Sequence, residues 1–303
     1  VAWHLRVVLV VAAIINTWND GKIRANMASI SSGESAAAII RCKDADALGV
    51  QAADLIVGDA RRAIHDRGHF IFVLAGGSTP ERTYSVLADA SHAAGIDWSR
   101  TFVFIGDERF VPFDDARSNY GMARRVLLAR VPIPSEHLFP IPTTEDSPAE
   151  AAEAYANQLA RFFSSEVHAA PPRFDLILLG LGEDGHTASL FPGFPSLDIR
   201  DRWVTWSPPG ALPPPVDRVT LTYPVLNAAR HVLFLVAGQK KAIAVRDVLE
   251  GGASPQERPA AGVRPVDGQL TWLVDEGAAE LLSSHAPPPI GHFNHSTFVT
   301  DSR

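Results

Sequence analysis

Thiol chemistry is almost absent from this chain. Of its 303 residues one is a cysteine, Cys42, which excludes an intrachain disulfide and fits a reducing compartment. Paired cysteines and an H-E-x-x-H segment are both missing, so no metal site is recognisable and no metal is expected. Basic clusters are missing too. With 27 lysines and arginines against 34 acidic residues the net charge is −7, and a chain of that balance without a basic stripe argues against a nucleic-acid partner. An anionic substrate stays open, because local cations decide that. The N-terminal apolar run, Val7 to Ile15, falls short of the roughly 20 residues needed to cross a bilayer. No G-x-x-x-x-G-K-[ST] phosphate loop occurs.

What the chain does have is a pattern used four times: an apolar strand, a glycine-containing loop, then a helix. Phe70 to Leu74 (FIFVL) runs into Ala75-Gly76-Gly77-Ser78-Thr79-Pro80, and Thr101 to Ile105 (TFVFI) into Gly106-Asp107-Glu108-Arg109. Phe174 to Leu179 (FDLILL) runs into GLGEDGHTASLFP, and His231 to Val236 (HVLFLV) into Ala237-Gly238-Gln239-Lys240-Lys241. Short, nearly continuous apolar runs suit parallel strands covered on both faces. The expected fold is therefore α/β: an open, doubly wound, mostly parallel sheet with helices on both faces, a three-layer sandwich. At 46% hydrophobic and 20% charged residues, the chain can bury one large core of this kind. Parallel strands would bring all four loops to one sheet edge, where ligands bind in open α/β sheets.

The loop after Phe174–Leu179 sets Asp184 and His186 at that edge. Gly180, Gly182 and Gly185 match the G-x-G-x-x-G dinucleotide fingerprint, but Glu183 and Asp184 place carboxylates where a pyrophosphate should lie. Pro192 and Pro195 also cut short the helix that should follow. The loop after Phe70–Leu74 has the features of an anion site: Gly76 and Gly77 permit close approach, and Ser78 or Thr79 can cap the next helix, with capping-box spacing to Glu81. A helix N-terminus there favours a phosphate. Lys240 and Lys241 open a helix whose apolar positions are Ala242, Val245, Val248 and Leu249. Taken singly, each of these residues has a plain structural alternative, such as a locally bonded histidine or a solvated lysine pair.

Together they form a recognisable set. LAGGSTPERTY (Leu74 to Tyr84), GDERFVP (Gly106 to Pro112), SNYGMAR (Ser118 to Arg124), the GLGEDGHTASLFP block, RVTLTYPVLNAAR (Arg218 to Arg230), GQKKA (Gly238 to Ala242) and LTWLVDEGAAELL (Leu270 to Leu282) occur in order. Across roughly Ala36 to Leu282 the chain resembles the 6-phosphogluconolactonases, lactone hydrolases of the pentose phosphate pathway. These belong to a wider group that includes glucosamine-6-phosphate deaminases.

The resemblance implies roles. His186 matches the histidine proposed to activate water, Asp184 its acidic partner, and Arg109 an arginine that helps place substrate or catalytic groups. Lys241, which fits the Gly-x-x-Lys pattern better than Lys240, joins Gly76, Gly77, Ser78, Thr79 and Arg218 around the substrate phosphate. The chemistry agrees: water attacking an ester carbonyl needs a base, and an imidazole with an ordinary pKa of about 6.5 is suitable. A carboxylate fixes its tautomer, and a cation offsets the developing oxyanion. Neither metal nor cofactor is called for. The partner is then a small sugar phosphate, with no nucleic acid or membrane, in a cytoplasmic enzyme.

Two alternatives stand beside this one. Deaminases of the group carry Phe-Asn-Glu-Pro after the Asp-Gly-His core, where this chain has Ser189-Leu190-Phe191-Pro192, and an apolar ring cannot shuttle a proton. A non-catalytic sugar-phosphate sensor would keep Ser78 and Lys241 and lose the acid–base pair. Residues 1–35 read as an N-terminal extension upstream of a start at Met27, with a signal peptide as the other reading. Residues 36–284 read as one catalytic domain, residues 285–303 as a tail, and Pro208 to Pro215 (PPGALPPP) as a stiff loop on the rim of the site.

Overall fold

A computed structural model describes residues 37–166 and 170–283. The expected extension at 1–35 and tail at 285–303 lie outside the described residues. The strands are β1 (Ala38–Cys42), β2 (Phe70–Leu74), β3 (Thr101–Ile105), β4 (Asp107–Arg109), β5 (Leu138–Phe139), β6 (Leu176–Leu179), β7 (Val204–Ser207), β8 (Arg218–Leu221), β9 (His231–Val236) and β10 (Gln269–Asp275). The helices are α1 (Ala45–Arg67), α2 (Ser78–Leu87), α3 (Ala90–Ala93), α4 (Asn119–Ala123), α5 (Pro148–Phe163), α6 (Tyr223–Ala228) and α7 (Ala242–Leu249).

Among the described residues seven strands form one parallel sheet in the order β1-β10-β9-β6-β2-β3-β5. Every residue of β2, β6 and β9 is buried, as expected of strands covered on both sides. Helix α1 packs against β1, β2 and β10, and α5 sends Tyr155 into the core, where its hydroxyl donates to the Ile105 carbonyl at 2.9 Å. Phe104 stacks on Phe139 and meets Phe162 and Phe174 edge-on, filling the space under α5 with aromatic area.

The strand order decides where a ligand can go. From β2 the chain proceeds outward through β3 to β5, then returns to β6 on the other side of β2 and proceeds outward again through β9 to β10. The sheet's topological switch point thus lies between β2 and β6, and loops leaving their carboxyl ends diverge there and open a crevice. Those are the Gly76–Thr79 loop and the Asp184–His186 loop. The lysine loop after β9 flanks them on one side and the Asp-Glu-Arg segment after β3 on the other.

Three elements differ from the sequence expectation. Among the described residues no α-helix follows the loop after β6, where Pro192 and Pro195 leave only a 3₁₀ turn at Pro195–Asp198 before β7. Strand β6 begins at Leu176 rather than Phe174, because Asp175 engages β2 with its side chain as well as its backbone: its Oδ2 accepts from Ile71 N at 2.8 Å and its N donates to Ile71 O at 3.0 Å. Asp107–Arg109, expected within a loop, is a strand of a second, antiparallel sheet ordered β4-β8-β7. Three consecutive charged residues carry no strand signal.

Candidate active site

The loop after β2 is shaped by two glycines. Gly77 has φ +105, in the left-handed region, and it is the N-cap of α2, with no side-chain cap. The expected capping by Ser78 or Thr79, and the capping box to Glu81, are therefore not formed: Ser78 is already the first helical residue, and Glu81 N bonds back to Gly77 O at 3.0 Å. The consequence favours binding, since the first N–H groups of α2 have no intrahelical acceptor and the Ser78 and Thr79 hydroxyls are not spent on them.

Gly76 is required by a close approach. A Cβ there would lie 1.8 Å from Asn119 Oδ1. Asn119 donates to the Asp107 carbonyl at 2.7 Å, while its own Oδ1 is buried without a partner. Buried and partnerless as well is Nε of Arg109, whose Nη1 donates to the Arg117 carbonyl at 2.7 Å. Both residues line a cavity of about 210 Å³ together with Gly77, Ser78, Ser118 and Arg125. Gly76→Ala must displace Asn119 and is expected to cost about 1–3 kcal/mol, as overpacking does. Thermal unfolding checks this, and a variant as stable as the parent would show that Asn119 moves freely.

The Asp-Glu-Arg strand is anchored from beneath. Glu108 is fully buried, and its carboxylate accepts from Arg109 N, Asn119 N, Tyr120 N and Ser118 Oγ at 2.7 to 3.0 Å. Burial raises its pKa despite those four bonds. Glu108 thus holds Arg109 and Asn119 in place rather than facing the cavity. Asp107 accepts from Ser189 Oγ at 2.7 Å, joining this strand to the histidine loop.

In that loop Gly185 takes φ +84 and Gly182 N bonds His186 O at 2.8 Å, folding the chain so that His186 Nδ1 meets Asp184 Oδ1 at 2.6 Å. A Cβ on Gly182 would lie 2.0 Å from His186 Nδ1, so only glycine leaves room for the pair. Burial alone would raise the Asp184 carboxyl, but the hydrogen bond and charge of His186 outweigh it and hold the pKa below its ordinary value. An ionised carboxylate only accepts, so Nδ1 carries the proton and a neutral ring presents the Nε2 lone pair. Both side chains remain about a quarter exposed, at 24% and 23%, which leaves the base accessible. Phe191 is buried with its ring centroid 5.0 Å from that of His186, and Gly210 of the proline-rich loop lies so close that a Cβ would stand 2.5 Å from the Phe191 ring.

The two lysines are not equivalent. Lys240 is exposed and Lys241 half-buried. Burial lowers the Lys241 ammonium pKa, and the charges of Glu183 and Asp184 oppose that fall, so Lys241 lies in the field of the histidine loop. Arg218 is buried. Its Nε donates to Val216 O at 3.0 Å and its Nη2 to Pro214 O at 2.9 Å, ordering the proline-rich loop. It stands opposite Arg109 in the β4–β8 register.

The fold therefore gathers Gly76, Gly77, Ser78, Thr79, Arg109, Asp184, His186 and Lys241 at one sheet edge, on loops and turns, the start of α2 and the end of β4. The cavity adds Asn119, within the SNYGMAR segment, and Arg125, which follows it; neither is marked by sequence, because Asn119 is singled out by its approach to Gly76 and Arg125 by its place on the cavity wall. A larger cavity, about 650 Å³, is lined by Arg173, Arg200, Tyr223 and Arg264 among others and contains none of the expected residues. Arg173 and Arg264 belong to segments entering β6 and β10, at the other edge of the sheet. Among the described residues no group of three or more metal-ligating side chains is placed to hold an ion, and no helix is long and apolar enough to cross a membrane.

Comparison with known proteins converges on one group. Residues 43–272 match the model of the glucosamine-6-phosphate isomerases/6-phosphogluconolactonase family. A 6-phosphogluconolactonase of Synechocystis sp. is 43% identical over 221 residues, covering 73% of this chain and 88% of that protein. The one from Rattus norvegicus is 43% identical over 240 residues, covering 78% and 90%. The solved structure of the Trypanosoma brucei 6-phosphogluconolactonase superposes with a TM-score of 0.74 at 33% identity, covering 82% of this chain and all of that one. On this match of sequence and architecture, the chain belongs to the glucosamine-6-phosphate isomerase/6-phosphogluconolactonase family.

Proposed function

We propose that this protein hydrolyses 6-phospho-D-glucono-1,5-lactone to 6-phospho-D-gluconate, with His186 as the general base that activates water. The observation that carries this reading is the 2.6 Å Asp184–His186 pair beside the sheet's switch point. Water hydrogen-bonded to Nε2 loses a proton to the ring as it attacks the lactone carbonyl, and Asp184 stabilises the imidazolium formed. Arg109 offsets the charge developing on the carbonyl oxygen. Collapse of the tetrahedral intermediate breaks the ring C–O bond, and the imidazolium returns its proton to the departing ring oxygen, which becomes a hydroxyl. Neither a metal nor a cofactor is needed for these steps.

The phosphate falls at the N-terminus of α2, against backbone N–H groups of the Gly76–Thr79 loop and the Ser78 and Thr79 hydroxyls. Lys241 closes on it from the β9 loop, and Arg125 adds a further cation on the cavity wall. Arg218, opposite Arg109 in the β4–β8 register, is a further cation for the phosphate and also holds the proline-rich rim. The catalytic unit is residues 36–284 of a cytoplasmic enzyme, flanked by an N-terminal extension and a C-terminal tail.

Phe191 favours lactone hydrolysis over deamination. Ring opening and proton movement between carbon and oxygen call for further acid–base groups, and here a buried phenyl ring packs on His186 instead. Incubation with glucosamine 6-phosphate is expected to release no ammonia under conditions where the lactone is consumed rapidly, and the unphosphorylated lactone is expected to be a poor substrate. Ammonia release without lactone hydrolysis above background would establish the deaminase reading. Binding of 6-phosphogluconate with neither reaction would establish the sensor.

A further inference from the structure

The histidine loop is held from behind by a segment distant in sequence, residues 254–260. Arg258 Nη1 donates to the backbone carbonyl of Asp184 at 3.1 Å, while its Nε and Nη2 donate to Asp247 Oδ2 at 3.2 and 2.8 Å. Ala260 N bonds Gly185 O at 3.0 Å, and Gly193 N bonds Gln256 O at 3.0 Å. A Cβ on Gly185 would stand 2.4 Å from Arg258 Cδ, so the arginine stem lies directly against the loop. Asp247 is on α7, the helix that starts immediately after Lys241. One guanidinium therefore ties the peptide of Asp184 to the helix behind the lysine loop, and it does so through two different edges of its planar fork.

We infer that Arg258 is a positioning residue for the acid–base pair: by fixing the Asp184 peptide it fixes where the carboxylate meets His186. The inference rests on the reading of His186 as the base. The Asp184 side chain has two rotatable bonds between Cα and its oxygens, so a displaced peptide moves Oδ1 almost directly, and the 2.6 Å contact leaves little room for that. Misplacement of about 1 Å can cost a catalytic group up to roughly a hundredfold in rate. Lysine cannot replace the fork, because a single ammonium on a flexible stem does not present two rigid edges to the Asp184 carbonyl and Asp247 together. Affinity for the phosphate is held separately, since the lysine loop has its own anchor in the Gly238 N bonds to the Asp275 carboxylate at 2.9 and 3.0 Å.

The test compares Arg258→Gln, Arg258→Lys and Asp247→Asn with the full-length parent protein. Arg258→Gln is expected to lower kcat about tenfold, with the Kd for 6-phosphogluconate within about twofold of the parent value. Arg258→Lys should recover only part of that loss. Asp247→Asn, which keeps the Asp184 bond and weakens its anchor, should lower kcat less but in the same direction. Proton NMR provides a readout independent of turnover: the His186 Nδ1–H resonance, identified by its loss in His186→Gln, is strongly downfield in the parent and should move upfield or broaden in Arg258→Gln. An unmoved resonance with unchanged kcat would overturn the inference. So would parallel loss of kcat, affinity and melting temperature with full rescue by lysine, which describes a general structural cation. If the parent protein shows no lactonase activity, the function reading fails, while the resonance still reports whether Arg258 positions the pair.

Discussion

Replacing His186 by alanine is expected to lower kcat for lactone hydrolysis by about a hundredfold or more while leaving the fold intact, because a general base contributes about 10² to 10⁴ in rate. The fold should survive because the ring is partly exposed at the loop surface and the hydrogen bonds that shape the loop remain, from Gly182 N to His186 O and from the Thr187 hydroxyl to Gly180 O. Asp184→Asn should also slow the reaction, but by a different route. An amide donates as well as accepts, so it no longer fixes the tautomer and loses the charge that stabilises the imidazolium. Steady-state kinetics on well-folded variants decide the matter. Full activity in His186→Ala would remove the residue from the mechanism, and an unchanged rate in Asp184→Asn would leave that carboxylate with a purely structural role.

Lys241→Ala is expected to weaken binding of 6-phosphogluconate by about ten- to a hundredfold, the equivalent of a charge-assisted hydrogen bond at roughly 1.5–3 kcal/mol. Lys240→Ala should change it far less. The difference follows from their surroundings: Lys241 is half-buried in the field of Glu183 and Asp184, whereas Lys240 is exposed. A calorimetric ranking in which the two variants are equal or reversed would place the phosphate against the other lysine.

The strand pattern was readable because burial on both faces leaves a near-continuous apolar run, and β2, β3 and β9 fall where FIFVL, TFVFI and HVLFLV place them. Their parallel pairing then brought the four loops together without further assumptions. The small antiparallel sheet was not readable, because Glu108 is buried at no visible advantage until the Ser118–Tyr120 backbone and hydroxyl donors that satisfy it are in place. Local rules also misjudged the start of α2: Ser78 has the chemistry of a cap, but Gly77 at φ +105 occupies that position. The bonds of Arg218 to the Val216 and Pro214 carbonyls were equally invisible, since a lone arginine opening a strand does not disclose which carbonyls it will meet. Arg258 carries no local motif, and its contacts to Asp184 and Asp247 arise only from folding.

The most direct measurement supplies freshly generated 6-phosphogluconolactone and follows acid release in a pH-stat against an enzyme-free control, because lactones open unaided. Acid release well above that control, abolished to near background by His186→Ala and retained by Lys240→Ala, is the expected result. A parent protein that releases acid no faster than the control, at concentrations where it binds 6-phosphogluconate, would contradict the account.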